Sequence, residues 1–341
     1  MNDGSADSRC DSALPLVSVV IPVHNGAMRL RRAVDSALEQ RGVRVSVIVV
    51  NDHSTDRWPE VLPLNEPRVR VLHSAARGPA AARNTGIRAA EGEYLAFLDA
   101  DDYWLPGFLD AVTRLLRDYP RVGAASTSYL IERGRVRKTV PSLRSETVNR
   151  IERGELHGFL ATYAKLGLVC TGSVCLRRSM LTPADLMRED LSTGEDTEFW
   201  AFLGARLRWA YVPDPLVVYD VSHHGERADE DDPIRLPDLA VWRQRLDLTC
   251  RPDDRLAVDR ICSRIARFQA RWLLLRGHPG RARELLRTHP IYPGAAGAVS
   301  TSLLVSLPIP LWRAASRLGV VLLAASRWVR KASTEIDRGH C

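Results

Sequence analysis

The chain has 341 residues, 45% hydrophobic and 26% charged, with a net charge of +7 at pH 7. That is enough apolar material for a sizeable core, which excludes a disordered chain, a disulfide-stapled mini-protein and a fibre. Residues 251–341 hold 16 Arg and Lys against 6 Asp and Glu while the rest of the chain is slightly acidic, so a uniformly basic nucleic-acid binder is excluded.

From Leu16 onward, short β-branched runs alternate with amphipathic helical stretches. The pattern predicts strands at Val17–Val23, Val45–Val50, Val69–Leu72 and Tyr94–Leu98. Helices are predicted at Met28–Gln40, Ala80–Ala90 and Pro106–Asp118, the last opened by its proline. Near-continuous apolar strands separated by helices imply an α/β fold of Rossmann type, a mostly parallel sheet sandwiched by helices. In such sheets ligands gather beyond the carboxyl ends of the strands.

After Ala124 the rhythm loosens, with strands expected at Ser173–Leu176 and Leu216–Val221 and a helix over Thr197–Ala205. His223–Asp232 reads as a polar loop, and Asp254–Arg276 with Gly280–Thr288 as a helical hairpin. The expected organisation is a disordered tail over 1–14, an α/β domain over 15–225 in halves 15–122 and 123–225, and a linker over 226–250. A helical extension over 251–290 and an amphipathic stretch over 295–330 follow.

Six cysteines form no Cys-x-x-Cys pair and no zinc-spaced cluster with histidine, so neither a zinc knuckle nor a disulfide frame is expected. The residues before the first strand lack the apolar centre of a secretory signal, and no uninterrupted apolar run reaches spanning length. A cytoplasmic protein with reduced thiols is the expectation.

Three segments carry chemistry. Asp99-Ala100-Asp101-Asp102 follows the strand ending at Leu98, and carboxylates crowded at a strand end repel one another unless a cation or hydrogen-bonding ligand lies between them. Mg2+ or Mn2+ held by one or two carboxylates, with phosphates and water completing the shell, answers this; an acidic helix cap is the alternative. Asn51-Asp52-His53-Ser54-Thr55-Asp56 ends another strand and reads either as a nucleotide-reading edge or as a plain turn. Arg83 and Asn84 stand early in a helix, where a guanidinium faces either a base or phosphate, or solvent.

Together these segments resemble the inverting family 2 glycosyltransferases with the GT-A nucleotide-diphospho-sugar fold. The resemblance rests on Val19-Val-Ile-Pro-Val-His-Asn25, Ser36-Ala-Leu-Glu-Gln40, Asn51-Asp-His-Ser-Thr-Asp56, Ala82-Arg-Asn-Thr-Gly86, Gly92 through Trp104 and Gly194-Glu-Asp196, in order, across roughly residues 16–221. It implies a nucleotide-sugar-binding half over 15–122 and an acceptor half over 123–225. By resemblance Pro22, Val23, His24 and Asn25 lie along the nucleotide, Asp52 and Arg83 meet the base, Asp99 with Ala100 meets the ribose, and Asp101 binds the metal. Asp196 matches the general base, with Glu195, Glu198 and Trp200 as acceptor-side candidates; the rival reading of Glu195 and Asp196 is a helix cap. Two positions depart from the family pattern: Asn51 replaces an aspartate, and His53 replaces a glycine. Histidine takes φ > 0 less readily, so a reshaped turn is expected.

In Tyr219-Asp220-Val-Ser-His223 the arginine common after the tyrosine is missing, and His223 is a further metal or diphosphate candidate beside His224. The donor expected from the resemblance is a UDP-sugar and the acceptor a hydroxyl, such as a lipid-linked glycan in bacterial surface polysaccharide or glycolipid synthesis. Arg, Trp and Leu over 295–330 suit a peripheral contact with the inner face of the cell membrane, a buried helix pair being the alternative. A non-catalytic nucleotide-sugar sensor or scaffold is the rival function. A nucleotidyltransferase would require a glycine-rich basic loop that Val23-His-Asn-Gly-Ala-Met28 is not.

Overall fold

The structure is a computed structural model that describes residues 14–63, 65–134, 136–140, 152–166, 168–191, 194–222, 239–250, 252–275 and 278–288. His223, His224, the polar loop after them, most of the N-terminal tail and the stretch 295–330 lie outside the described residues. Two compact units are present, one within residues 14–222 and one within 239–288.

The first unit is a single sheet with strands β1 Leu16–Val23, β2 Arg44–Asn51, β3 Val69–His73, β4 Tyr94–Phe97, β5 Tyr103–Trp104, β6 Ala124–Arg133, β7 Val136–Val140, β8 Gly154–Leu156, β9 Val174–Arg177 and β10 Trp209–Asp220. Their main order is β3-β2-β1-β4-β9-β6-β10-β5, with β7 beside β6 and β8 beside β10. β1, β2, β3 and β4 are mutually parallel, β9 runs against both β4 and β6, and β6 is parallel to β10. Six strands therefore end at one edge of the sheet, which brings Asn25, Asp52, Asp99 and Asp220 to the same rim.

The helices of this unit are α1 Leu30–Leu38, α2 Pro79–Ala89, α3 Phe108–Asp118, α4 Phe159–Leu166 and α5 Glu195–Arg206. α1 and α3 bury regular apolar stripes, Leu30, Ala33, Val34 and Ala37 on one and Phe108, Leu109, Val112, Leu115 and Leu116 on the other. α2 lies close on β1: a Cβ at Gly86 would come within 2.3 Å of Val20 Cγ1. Only glycine permits that approach, which sets where Arg83 stands one turn earlier.

Two elements depart from expectation. β6 is a central strand where a loose connection is expected, because its first half is Ala124-Ala-Ser-Thr-Ser128, small and hydroxyl-bearing rather than β-branched. These hydroxyls are buried and internally satisfied: Ser126 Oγ accepts from Trp209 Nε1 at 2.8 Å and Thr127 Oγ1 donates to the Ser128 carbonyl at 2.8 Å. α3 begins at Phe108, behind a left-handed Gly107 (φ 91°), so Pro106 precedes the helix instead of opening it.

The second unit holds α6 Leu239–Asp247, α7 Arg255–Leu275 and α8 Pro279–Thr288. α6 lies inside the stretch read above as a linker. α7 buries Val258, Ile261, Cys262, Ile265 and Ala266 at helical spacing, and Asp259 pairs with Arg243 of α6 at 2.6 Å. Among the described residues no helix is long and apolar enough to cross a membrane.

Candidate active site

The acidic segment leaves β4 as a closed turn. The Asp102 N–H donates to the Asp99 carbonyl at 3.0 Å, and Asp102 Oδ1 accepts the Asp220 N–H at 2.9 Å. Asp102 is 1% exposed, so its carboxylate joins the turn to the end of β10. Asp101 is also buried, and its carbonyl accepts Arg32 Nη2 at 2.7 Å. Asp99 and Ala100 are half-buried, and Gly26 of the loop after β1 lies against Ala100.

Arg83 is the junction of the site. Its Nη2 donates to Asp99 Oδ1 at 2.6 Å and its Nη1 to Glu195 Oε1 at 3.0 Å, joining the end of β4 to the first turn of α5. Burial works against the guanidinium charge, but Asp99 and Glu195 outweigh it and raise the Arg83 pKa. Glu195 is pushed above the usual carboxyl value by burial and by the adjacent Asp196, against the opposing pull of Arg83. Arg83 Nε is buried with no hydrogen-bond partner.

Asp196 is half-buried in the acidic first turn of α5, behind a left-handed Gly194 (φ 81°). Its Oδ1 accepts the Thr197 N–H at 2.6 Å and the Thr197 hydroxyl at 3.2 Å. The Tyr219 phenol is raised strongly, first by burial and then by the charges of Asp102, Asp196 and Asp99.

The turn after β2 accommodates the histidine in a left-handed conformation. His53 adopts the left-handed region at φ 53°, and Asn51 supports it by accepting the Ser54 N–H on Oδ1 at 3.0 Å. The side chain at 51 thus closes the turn that residue 53 enters. Both Asp52 carboxylate oxygens accept the Gly78 N–H at 3.0 Å, tying β2 to the start of α2. His24 Nδ1 donates to the Asp52 carbonyl at 2.6 Å, which makes its Nε2 the acceptor for Asn25 Nδ2 at 3.3 Å. Asn25 in turn accepts the Thr55 N–H at 2.8 Å, and Val23 receives the Asp52 N–H on its carbonyl at 2.8 Å. Pro22 is half-buried at the end of β1.

The sequence candidates thus divide. Pro22 to Asn25, Asp52, Arg83, Asp99, Ala100 and Asp101 reach one rim, and Arg83 links Glu195 to it. Trp200 does not reach it: it is 1% exposed and packs edge-on against Phe97 at 5.6 Å, because α5 turns that face into the core. Glu198 is likewise buried. Asn84 anchors a loop, holding both the N–H and the carbonyl of Met187 at 2.8 Å. Arg32, Asp220 and Tyr219 are neighbours of the site that sequence reasoning did not select.

Asp101 suits a hard divalent cation through its carboxylate oxygens, while Asp99 Oδ1 is already bound by Arg83 at 2.6 Å. Among the described residues no group of three or more His, Cys, Asp or Glu could hold an ion unaided, so such a cation would take its remaining ligands from phosphate and water.

Comparison with known proteins places this arrangement. Residues 18–181 match the family described as glycosyl transferase family 2. EpsJ, a glycosyltransferase of Bacillus subtilis (strain 168), is 41% identical over 93 residues, covering 26% of this chain and 27% of its own. Chondroitin synthase of Pasteurella multocida (strain Pm70) is 42% identical over 109 residues, 31% of this chain and 11% of its own. The chain therefore spans only a minor part of these two relatives. MT1568 of Mycobacterium tuberculosis (strain CDC 1551 / Oshkosh) is 30% identical over 228 residues, 63% of this chain and 70% of its own. In fold, S. aureus TarS 1-349 in complex with UDP-GlcNAc superposes with a TM-score of 0.61 at 16% identity, covering 89% of this chain and 92% of that one. The mannosyltransferase PcManGT from Pyrobaculum calidifontis, in complex with GDP-Man and Mn2+, gives 0.50 at 21% identity, over 93% and 87%. The fold is GT-A, and the chain belongs to glycosyl transferase family 2.

Proposed function

We propose that the chain is a metal-dependent glycosyltransferase that moves a sugar from a nucleotide-diphospho donor to an acceptor hydroxyl with inversion. The observation that carries this reading is the Arg83 junction, which holds Asp99 on one side and Glu195, next to Asp196, on the other. Direct displacement needs a leaving diphosphate and an incoming hydroxyl on opposite faces of one carbon, so it needs acids at two stations of fixed separation. A buried guanidinium bound to both stations supplies that spacing.

In this reading Pro22, Val23, His24 and Asn25 line the nucleotide, Asp52 accepts from the base, and Asp99 with Ala100 meets the ribose. Asp101 would hold Mg2+ or Mn2+, which when bound neutralises charge growing on the leaving diphosphate. Asp196 takes the acceptor proton on Oδ2 while Thr197 steadies Oδ1. Arg83 positions that base through Glu195, its neighbour in the chain. The nucleotide sugars bound to TarS and PcManGT support the donor class, the Mn2+ of PcManGT supports the cation, and the chondroitin synthase likeness supports a polysaccharide acceptor.

The test is release of nucleoside diphosphate from a panel of UDP- and GDP-sugars by the purified chain, with Mn2+, with Mg2+ and with EDTA. Slow metal-dependent hydrolysis of at least one donor is expected. Tight donor binding without any turnover, with or without candidate acceptors, would instead mark a sensor or scaffold.

A further inference from the structure

We propose that Arg32 and Asp220 form a positioning pair that fixes the Asp99–Asp102 turn and so sets its affinity for a divalent cation carrying a nucleoside diphosphate. This rests on the reading of Asp101 as the ligand of that cation. The two residues are 188 positions apart, one on α1 and the other at the end of β10. Arg32 Nη2 donates to Asp220 Oδ2 at 3.0 Å and to the Asp101 carbonyl at 2.7 Å. Its guanidinium lies over the Tyr103 ring, 4.4 Å from the centroid. That ring is itself held, since its hydroxyl donates to Glu132 Oε2 at 3.1 Å and accepts from Arg137 Nη2 at 2.7 Å. Asp220 returns a second bond to the same turn, its N–H meeting Asp102 Oδ1 at 2.9 Å.

The peptide plane between Asp101 and Asp102 is thus gripped from both sides, by Arg32 on its carbonyl and by Asp220 on the following side chain. The carboxylates of Asp101 and Asp102 swing with that plane, so its orientation decides whether Asp101 can hold a cation. Charge-assisted bonds from a planar guanidinium suit this task because they are directional as well as strong. Arg32 is 41% exposed and Asp220 9%, so the pair sits at the rim. Changing Arg32 opens no core cavity, and its effect on cation binding is separable from an effect on folding.

The test is calorimetry of UDP and GDP binding to the full chain, with Mn2+ and with EDTA, for the parent, Arg32→Gln, Asp220→Asn and the double variant. Each single variant is expected to weaken Mn2+-dependent binding by about tenfold, as for partners that orient a metal ligand, while binding in EDTA is unchanged. The double variant is expected to lose little more, because the two act as a unit. Unchanged Mn2+-dependent affinity in a folded Arg32→Gln overturns the proposal. Hydrogen exchange of amides 99–104 without nucleotide provides an independent arm. Faster exchange in either variant supports the pair's hold on the turn, and exchange identical to the parent overturns it. A parent chain that binds neither nucleotide with Mn2+ defeats the donor reading instead, and the exchange arm still decides the positioning claim.

Discussion

Arg83 and Glu195 are separated by 112 positions, yet their side chains meet at 3.0 Å inside the rim of the sheet. The contact is buried on both sides, with 6% and 9% of the two side chains exposed. Removing one member of such a pair strands the other's charge. Arg83→Met leaves both Glu195 and Asp99 unneutralised and is expected to cost about 3–5 kcal/mol in urea unfolding. Loss of less than about 1 kcal/mol would show that the junction does not hold the two stations together.

Asp196→Asn keeps the shape of the side chain and removes its capacity to accept a proton. Transfer to an acceptor is expected to fall by about 10²–10⁴-fold, the usual contribution of a general base. Donor binding, followed by calorimetry, is expected to stay at the parental value. Near-normal transfer in this variant would remove Asp196 from the role.

Gly86→Ala brings a methyl group to 2.3 Å and 2.7 Å from the two Val20 methyls, so α2 must move off β1. Overpacking of this kind costs about 1–3 kcal/mol, and the helix that shifts is the one carrying Arg83. Adding Val20→Ala is expected to recover part of the loss in thermal unfolding. No recovery would mean that the approach of α2 to β1 is not limited by these atoms.

Asp220 makes acid stability a readout of its bonds to Ser222 and Arg32. Burial opposes its charge, but hydrogen bonds to Ser222 and the Arg32 ion pair bring its carboxyl down to about 2. The folded value is depressed, so this stability is present above the unfolded carboxyl value and is lost as pH falls from about 4 through about 2. A shift of this size corresponds to roughly 2 kcal/mol, reduced to about 1 kcal/mol by the solvent exposure of Arg32. Urea unfolding of the parent is expected to weaken more steeply over that range than that of Asp220→Asn. Parallel curves would contradict the hold that Ser222 and Arg32 exert on this carboxyl.

What the sequence made legible follows from where the physical signal was strong. β1, β2 and β4 are apolar runs whose ends carry the polar motifs, so both the strands and the rim were readable. β6 was not, since its buried half is built from alanine, serine and threonine satisfied by partners such as Trp209, distant in the chain. Arg32 was invisible for a related reason: on an amphipathic helix in an arginine-rich chain it reads as a solvent-facing charge, and only the fold brings Asp220 to it. Trp200 misled in the opposite direction, because an aromatic one turn past Asp196 looks like a contact until the helix is seen to bury that face. At His53 the backbone was readable as unusual, but the support that Asn51 gives the turn depends on a side-chain bond that spacing alone does not reveal.

The central claim is that an acidic turn at the sheet rim binds a cation with a nucleotide sugar for turnover. It is tested most directly by metal-dependent release of nucleoside diphosphate from the best donor of the panel, comparing the parent with Asp101→Ala at matched folded concentration. The account predicts release that requires Mn2+ or Mg2+ in the parent and is abolished in Asp101→Ala; release that is indifferent to the metal, or undiminished in the variant, would contradict it.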